Sequence, residues 1–103
     1  MAKGYWIGRV DVTDPEGYQA YVAANAAAFK KYGARFIVRG APFKAVEGEG
    51  RARNVVLEFK DYETALACYN SPEYQHAVSL RQGKAVVDMI VIEGYDGPQP
   101  GDA

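Results

Sequence analysis

Four short runs of the sequence alternate between apolar and other residues with the period of a β-strand, at residues 4–12, 34–40, 54–59 and 85–94. This alternation divides the residues between the two faces of a sheet. One face, which we call the apolar face, carries no charge in this assignment and contains Trp6, Gly8, Val10, Phe36, Val38, Val55, Leu57, Phe59, Val87, Met89 and Val91. The other, the mixed face, combines aliphatic with charged side chains: Tyr5, Ile7, Arg9, Asp11, Arg35, Ile37, Arg39, Val56, Glu58, Asp88, Ile90 and Ile92.

Helix signals separate these runs. Asp14, followed by a proline, predicts a helix from residue 15 to about residue 32, with Gly33 just after its end. Asp61 predicts a short helix through residue 69, and Ser71 predicts another that ends at Gly83. The last two segments are either two helices or one helix broken at residues 70–71. Residues of the first helix that recur at three- and four-residue steps are Tyr18, Tyr21, Val22, Asn25, Phe29 and Tyr32.

The element order is therefore β-α-β-β-α-β, which predicts an α+β, ferredoxin-like antiparallel sheet with its helices on one face. We expect the helices to cover the apolar face. Between the second and third strands we expect a ragged hairpin with a bulge near Gly40, and residues 44–46 extend the strand past it. Residues 1–95 form a single domain, and residues 96–103 a flexible tail or an arm on a partner.

The mixed face would leave a contiguous aliphatic patch in water if the protein were a monomer. Two copies packed sheet to sheet would cover this patch, and the charged groups would then pair, stay hydrated or hold a polar ligand. We therefore expect a homodimer with a small polar-lined pocket on the mixed face of each subunit, capped by the second helical region. The alternative is that the mixed face is the solvated side of an antiparallel sheet.

Composition narrows the function classes. The 103 residues carry a net charge of −1 with both signs interspersed, so no nucleic-acid or anionic-membrane partner is expected. The apolar runs are shorter than the ~20 residues needed to span a bilayer. The single Cys68 and the absence of a signal-peptide pattern at the start lead us to expect a soluble cytoplasmic protein.

Several sequence stretches, namely GYWIGRVDVTDPEGY, RFIVRG, LEF, YNSPEYQ and LRQG, are similar to those of a bacterial family, domain of unknown function 1330 (DUF1330). The resemblance covers residues 2–94. It implies a ferredoxin-like fold in the dimeric α+β barrel superfamily, which includes cofactor-independent monooxygenases, isomerases, haem-dependent enzymes and non-catalytic proteins. The positions that it marks as family features are Asp11, Arg39, Glu58, Ser71, Tyr74 and Arg81.

Arg39 and Glu58 fall on adjacent strands of the mixed face, and we expect them to meet as a charge-assisted pair. Such a pair would either orient an anion-binding arginine or fix the register of a dimer. His76 is the only histidine and a candidate general base, with an ordinary surface role as the alternative. The candidate catalytic residues are Glu58, His76 and Asp88, and the candidate ligand-binding residues are Arg9, Asp11, Arg39, Tyr69, Tyr74 and Arg81.

The expected function is binding of a small polar or anionic organic molecule. Cofactor-independent oxygenation or isomerisation is the chemistry that the resemblance makes available, and a non-catalytic dimeric binding, sensing or structural module is the alternative. We expect no cofactor and no metal, because one histidine and one cysteine are too few for a zinc site within one subunit.

Overall fold

Three polar side chains fix where the helices begin. The computed structural model describes residues 2–102, and in it Asp14, Asp61 and Ser71 each accept a hydrogen bond from the backbone N–H three residues later, at 3.0, 2.7 and 3.1 Å. These bonds satisfy N–H groups that the first turn of a helix leaves without a partner. A proline occupies the first helical position after Asp14 and after Ser71. All three predicted helix starts are confirmed.

The α+β, ferredoxin-like element order is also confirmed, with a second helical region that consists of two helices. The last helix ends three residues before the predicted Gly83, because the N–H of Arg81 bonds to the carbonyl of Val78 and closes a tighter turn. The elements are β1 Gly4–Val12, α1 Pro15–Tyr32, β2 Arg35–Arg39, β3 Arg53–Phe59, α2 Tyr62–Tyr69, α3 Pro72–Leu80 and β4 Ala85–Glu93, followed by a 3-10 turn at Pro100–Asp102.

The four strands form one antiparallel sheet in the order β2-β3-β1-β4. The core lies between this sheet and the helices, and Trp6 of β1 is at its centre. The Trp6 side chain is fully buried, and its indole Nε1 donates to the carbonyl oxygen of Ala65 in α2 at 2.8 Å. Its ring lies 5.5 Å from Phe29 of α1 and 4.7 Å from Tyr74 of α3. The helices therefore cover the side of the sheet that carries Trp6, as predicted.

Strand β2 contains a β-bulge, so its last residues face the opposite side of the sheet from the one that regular alternation predicts. Its pairing with β3 shifts by one residue between Phe36 and Val38. Beyond the shift, Arg39 lies opposite Val55, which places Arg39 on the side of the helices and Val38 on the other side. The predicted faces of Val38 and Arg39 are therefore wrong, and the side of the sheet under the helices is not free of charge.

We name the two sides of the observed sheet for the rest of the description. The helix-covered face carries Trp6, Gly8, Val10, Phe36, Arg39, Arg53, Val55, Leu57, Phe59, Val87, Met89 and Val91. The free face carries Tyr5, Ile7, Arg9, Asp11, Arg35, Val38, Asn54, Val56, Glu58, Val86, Asp88, Ile90 and Ile92.

The connection from β2 to β3 is irregular. Gly40 has a φ of +63° and donates its N–H to the carbonyl of Asn54, which ends the pairing of the two strands. Residues 44–46 are not a strand, so the predicted extension past Gly40 is wrong.

After β4, the Tyr95 hydroxyl donates to the carbonyl of Pro98 at 2.7 Å. The flexibility of the predicted tail, residues 96–103, stays a prediction, and Ala103 lies outside the described residues. No helix within residues 2–102 has both the length and the apolar content to cross a membrane.

Candidate functional site

A small cavity lies between α1 and the helix-covered face of the sheet, on the opposite side of the sheet from the predicted pocket. Its volume is about 50 Å³. Most of its wall is apolar or aromatic, and a minority of polar groups provides hydrogen-bonding capacity. The lining residues are Trp6, Gly8, Val10, Tyr18, Tyr21, Val22, Asn25, Phe29, Phe36, Arg39, Arg53, Val55, Leu57, Val87 and Met89.

Gly8 lines the sheet side of this cavity and is closely covered by Met89. It lies in the centre of the sheet, between Val55 on β3 and Met89 on β4. A Cβ atom added to Gly8 would lie 3.0 Å from Cε and 3.1 Å from Sδ of Met89. The flexible end of the Met89 side chain therefore occupies the space over Gly8, and it forms part of the cavity wall.

Two arginines supply positive charge to the cavity. The bulge in β2 brings Arg39 to it, and Arg53 is the first residue of β3. The guanidinium of Arg39 lies 4.1 Å from the ring centroid of Phe36, and that of Arg53 lies beside Gly40. Within residues 2–102, no carboxylate is within ion-pair distance of either guanidinium. Both charges are therefore available to an anion at the β2 edge of the cavity.

A buried pair of tyrosines connects the cavity to α3. The hydroxyl groups of Tyr21 and Tyr74 are 2.6 Å apart, and the Arg81 guanidinium lies 5.1 Å from the Tyr21 ring centroid. Burial raises the pKa of Tyr74 far above its ordinary value, and Tyr21 adds to this shift. Burial also raises the pKa of Tyr18. The structure thus brings two predicted ligand residues, Tyr74 and Arg81, next to the cavity through Tyr21.

Three other charged residues predicted for the site, Arg9, Asp11 and Asp88, lie on the free face, where they hold the β2–β3 connection. Arg51 bridges Asp11 and Asp88, with N–O distances of 2.8 and 2.7 Å. Asp11 also accepts a bond from the backbone N–H of Ala52 at 2.8 Å, and Arg9 donates to a backbone carbonyl at residue 49 at 2.9 Å. The Ala52 N–H and Arg51 hold the pKa of Asp11 below its ordinary value. These contacts are structural, and none of the carboxylates lines the cavity.

The predicted Arg39–Glu58 pair does not form. Glu58 accepts a hydrogen bond from the Tyr5 hydroxyl at 3.0 Å, and the residue opposite Glu58 in the register of β2 is Arg35. Arg39 lies on the opposite side of the sheet because of the bulge. The alternation rule therefore failed here, since it assumed regular pairing along the whole of β2.

The remaining candidates have local roles. His76 is exposed on α3, and Ser71 is the N-cap of that helix. Tyr69 packs 5.8 Å from Trp6 and 5.4 Å from Tyr74, measured between ring centroids. In residues 2–102, no group of three His, Cys, Asp or Glu side chains is arranged to hold a metal ion.

Sequence reasoning missed two kinds of lining residue. Arg53 was left out because the predicted strand began one residue too late, although it is two positions before Val55 and therefore faces the same side. Tyr18 and Asn25 belong to the periodic stripe of α1, which predicts the helix but assigns these residues to no site. A polar amide within an otherwise aromatic stripe was the signal that could have identified this wall of the cavity.

A four-stranded antiparallel sheet with all helices on one side defines a ferredoxin-like α+β protein, and here the cavity lies under the first helix. Within that class, the chain belongs to the family described as "Domain of unknown function (DUF1330)", whose model matches residues 3–95. The resemblance seen in the sequence is thereby confirmed. No curated protein matches the chain.

Three solved structures illustrate how widely the fold is shared. A protein of unknown function from Rhodopseudomonas palustris is 17% identical with a TM-score of 0.74, over 93% of this chain and 85% of its own. SnoaB, a cofactor-independent oxygenase from Streptomyces nogalater, is 12% identical with a TM-score of 0.61, over 97% and 99%. A dimeric ferredoxin-like protein of unknown function from Thermobifida fusca is 14% identical with a TM-score of 0.54, over 88% and 92%. At these identities the likeness shows the fold alone.

Proposed function

We propose that this protein binds a small organic anion in the cavity between α1 and the sheet. The observation that carries the proposal is an apolar cavity with two guanidinium groups, Arg39 and Arg53, and no carboxylate in its lining. A neutral ligand would leave both guanidinium groups to water, since Arg39 is exposed and Arg53 is half-buried. A carboxylate would accept charge-assisted hydrogen bonds from them, each contributing about 1.5–3 kcal/mol.

Trp6 makes the proposal directly testable, because it is the only tryptophan and lines the cavity. Its fluorescence is followed while small carboxylates and the corresponding neutral amides are titrated. We expect the acids to change the emission and the amides to have little effect. Arg39→Met and Arg53→Met should each weaken acid binding about tenfold or more, since each removes a charge-assisted interaction of at least about 1.4 kcal/mol.

The matched control is Arg35→Met. Arg35 lies on the same strand as Arg39 but on the free face, so its loss should leave acid binding unchanged. Equal effects of Arg35→Met and Arg39→Met would refute the placement of the anion site.

Oxygenation or isomerisation is the competing function, since SnoaB shares the fold and is described as a cofactor-independent oxygenase. We favour binding because the predicted acid–base residues Glu58, His76 and Asp88 do not line the cavity. The charged residues that do line it, Arg39 and Arg53, carry hydrogen-bond donors and no acceptor, so neither can serve as a general base. An acid incubated with the protein in air should therefore be recovered with unchanged mass and chromatographic retention, whereas an added oxygen atom or an isomer would establish catalysis.

We also propose that the functional unit is a homodimer joined through the free face. Val38, Val56, Ile7 and Ile90 form one aliphatic row across all four strands, and Ile90 is 52% exposed. Charges of both signs flank this row, so a two-fold axis can bring opposite charges together. The Thermobifida fusca protein with this fold is described as dimeric. The single buried Cys68 suits a reducing compartment, and we place the dimer in the cytoplasm.

Light scattering at micromolar concentration tests the dimer. Ile90→Glu places a charge within the aliphatic row, where association would bury it, and should give a folded monomer. Glu63→Gln, at an exposed position on α2, is the control and should leave the mass unchanged. A native protein that is monomeric at this concentration would disprove the dimer without affecting the anion site.

A further inference from the structure

Helix α1 contributes three polar side chains to the cavity wall, Tyr18, Tyr21 and Asn25. The Tyr21 hydroxyl pairs with that of Tyr74 at 2.6 Å. Within residues 2–102, neither the Tyr18 hydroxyl nor the side-chain amide of Asn25 makes a hydrogen bond to a protein group. Two uncharged polar groups on the helix side of the cavity are therefore available to a ligand.

The helix itself gives no structural reason for Asn25. Every other residue in the stretch 23–28 is alanine. Asparagine is a poor helix former at an interior position, because its side chain competes for backbone hydrogen bonds. Helix α1 runs from Pro15 to Tyr32, so Asn25 caps neither end. A half-buried amide at this position disfavours the helix and fills no structural role, which is typical of a functional position.

Tyr18 and Asn25 are too far apart to bind the same group of a ligand. Seven positions of α1 separate them, which is about 10 Å along the helix axis. Both side chains lean towards the N-terminus of the helix, so their polar ends stay separated. Tyr18 lies beside Arg53, since both residues line the cavity and also the groove that opens outside it. The phenol can therefore join Arg53 in binding a carboxylate, whereas the Asn25 amide meets a different part of the ligand.

Building on the proposed anion site, we propose that the ligand is a carboxylate with a second, uncharged oxygen, either a hydroxyl or an oxo group, and that Asn25 recognises this oxygen. The carboxylate accepts hydrogen bonds from Arg39, Arg53 and the Tyr18 hydroxyl. The amide NH₂ of Asn25 donates to the second oxygen, and the amide carbonyl accepts from it where that oxygen is a hydroxyl. Asn25 is therefore a specificity-determining residue.

Titration of the native protein with matched acids tests for the second oxygen, with Trp6 fluorescence as the signal. The acids are pentanoate, 2-, 3- and 4-hydroxypentanoate, and 2- and 4-oxopentanoate. We expect at least one oxygenated acid to bind about tenfold more tightly than pentanoate, because pentanoate leaves the Asn25 amide without a partner. Oxygenated acids that all bind no more tightly than pentanoate would overturn the inference.

Variants of Asn25 test whether its amide causes this preference. Asn25→Leu and Asn25→Ala both remove the amide and introduce better helix formers. In each variant the preference should fall to within about twofold, and Asn25→Ala should leave pentanoate binding at its native strength. The matched control Gln82→Leu removes an exposed amide just after α3 and should keep the tenfold preference. A preference that persists in both Asn25 variants would refute the role of Asn25, as would pentanoate binding in Asn25→Ala that weakens as much as that of the oxygenated acid.

Tyr18→Phe tests the other part of the assignment. Loss of the phenol oxygen should weaken pentanoate and the oxygenated acid by the same factor, about three- to tenfold, since both acids carry the carboxylate. The preference for the oxygenated acid should persist. A Tyr18→Phe variant that binds pentanoate like the native protein, or that loses the preference, would contradict the assignment of Tyr18 to the carboxylate.

The failures of the two proposals are distinguishable. If none of these acids changes the fluorescence of the native protein, the anion site itself is refuted, and recognition of a second oxygen is refuted with it. If the acids bind and Arg39→Met weakens them, but no preference for a second oxygen depends on Asn25, only the further inference is refuted.

Discussion

The hydrogen bond between Tyr21 and Tyr74 gives a sharp test of the polar network behind the cavity. Tyr74 is fully buried, Tyr21 is 7% exposed, and their hydroxyl groups are 2.6 Å apart. Tyr74→Phe removes one oxygen and leaves the rings in place. The Tyr21 hydroxyl then stays buried and loses this partner, and an unsatisfied buried hydroxyl costs about 1–3 kcal/mol.

Urea unfolding monitored by Trp6 fluorescence measures this loss. With a slope of about 1–3 kcal/mol per molar urea, a loss of about 2 kcal/mol lowers the midpoint by about 1 M. Protein concentration must be the same for all variants, because a dimer is stabilised by mass action. Tyr69→Phe is the matched control: among residues 2–102 no protein group bonds to its hydroxyl, so its cost should stay below about 0.5 kcal/mol.

A double-mutant cycle completes the test. In Tyr21→Phe/Tyr74→Phe neither hydroxyl remains, so the double variant should lose about 1 kcal/mol less than the sum of the two single losses. Additive losses, or a Tyr74→Phe variant as stable as the Tyr69→Phe control, would show that the hydroxyl pair contributes nothing.

Four further outcomes follow from local geometry. Burial raises the pKa of the Cys68 thiol to about 12, so a thiol reagent at pH 8 should label Cys68 only as fast as the protein unfolds. Asp61→Ala should cost about 0.5–2 kcal/mol by thermal unfolding, and Asp61→Asn much less, because asparagine also caps helices. An added Cβ at Gly4 would overlap the backbone oxygen of residue 61, so Gly4→Ala should cost about 1–3 kcal/mol in urea unfolding, whereas Gly101→Ala, with open space around it, should be neutral. Because the pKa of Tyr74 is raised in the folded protein, the unfolded chain loses this proton first, so the contribution of Tyr74 to stability should be constant below about pH 10 and fall above it, and stability at alkaline pH should fall less steeply in Tyr74→Phe.

The sequence was sufficient for the features that depend on near neighbours. Asp14, Asp61 and Ser71 cap helices through hydrogen bonds to residues only three positions away, so their patterns predicted the helix starts. Strand β1 is regular and pairs continuously on both sides, so its alternation predicted which residues face the helices.

The end of β2 could not be predicted in the same way. Whether a strand takes up an extra residue depends on how it pairs with its neighbour, and that pairing is far away in sequence. A single shift reversed Val38 and Arg39 together, and with them the predicted partner of Glu58. The rule of alternation remained valid on each side of the shift.

The location of the cavity could not be predicted from the sequence either. Its walls depend on how the Met89 side chain lies over Gly8 and on how α1 packs across the sheet, and both are results of tertiary packing. Only the folded structure shows which of the predicted charged residues line the cavity and which hold a loop in place. Arg39 lines the cavity, whereas Asp11 and Asp88 form ion pairs with Arg51 on the other side of the sheet.

The bulge between Phe36 and Val38 also bears on how this family varies. Regular pairing of the same sequence through residue 39 would instead place Arg39 opposite Asn54 on the free face, and the cavity would lose one of its two guanidinium groups. Two relatives with an arginine at the same position of the sequence could then carry it on opposite sides of the sheet. The pairing of the second strand, and not residue identity alone, therefore determines which side of the sheet carries this charge.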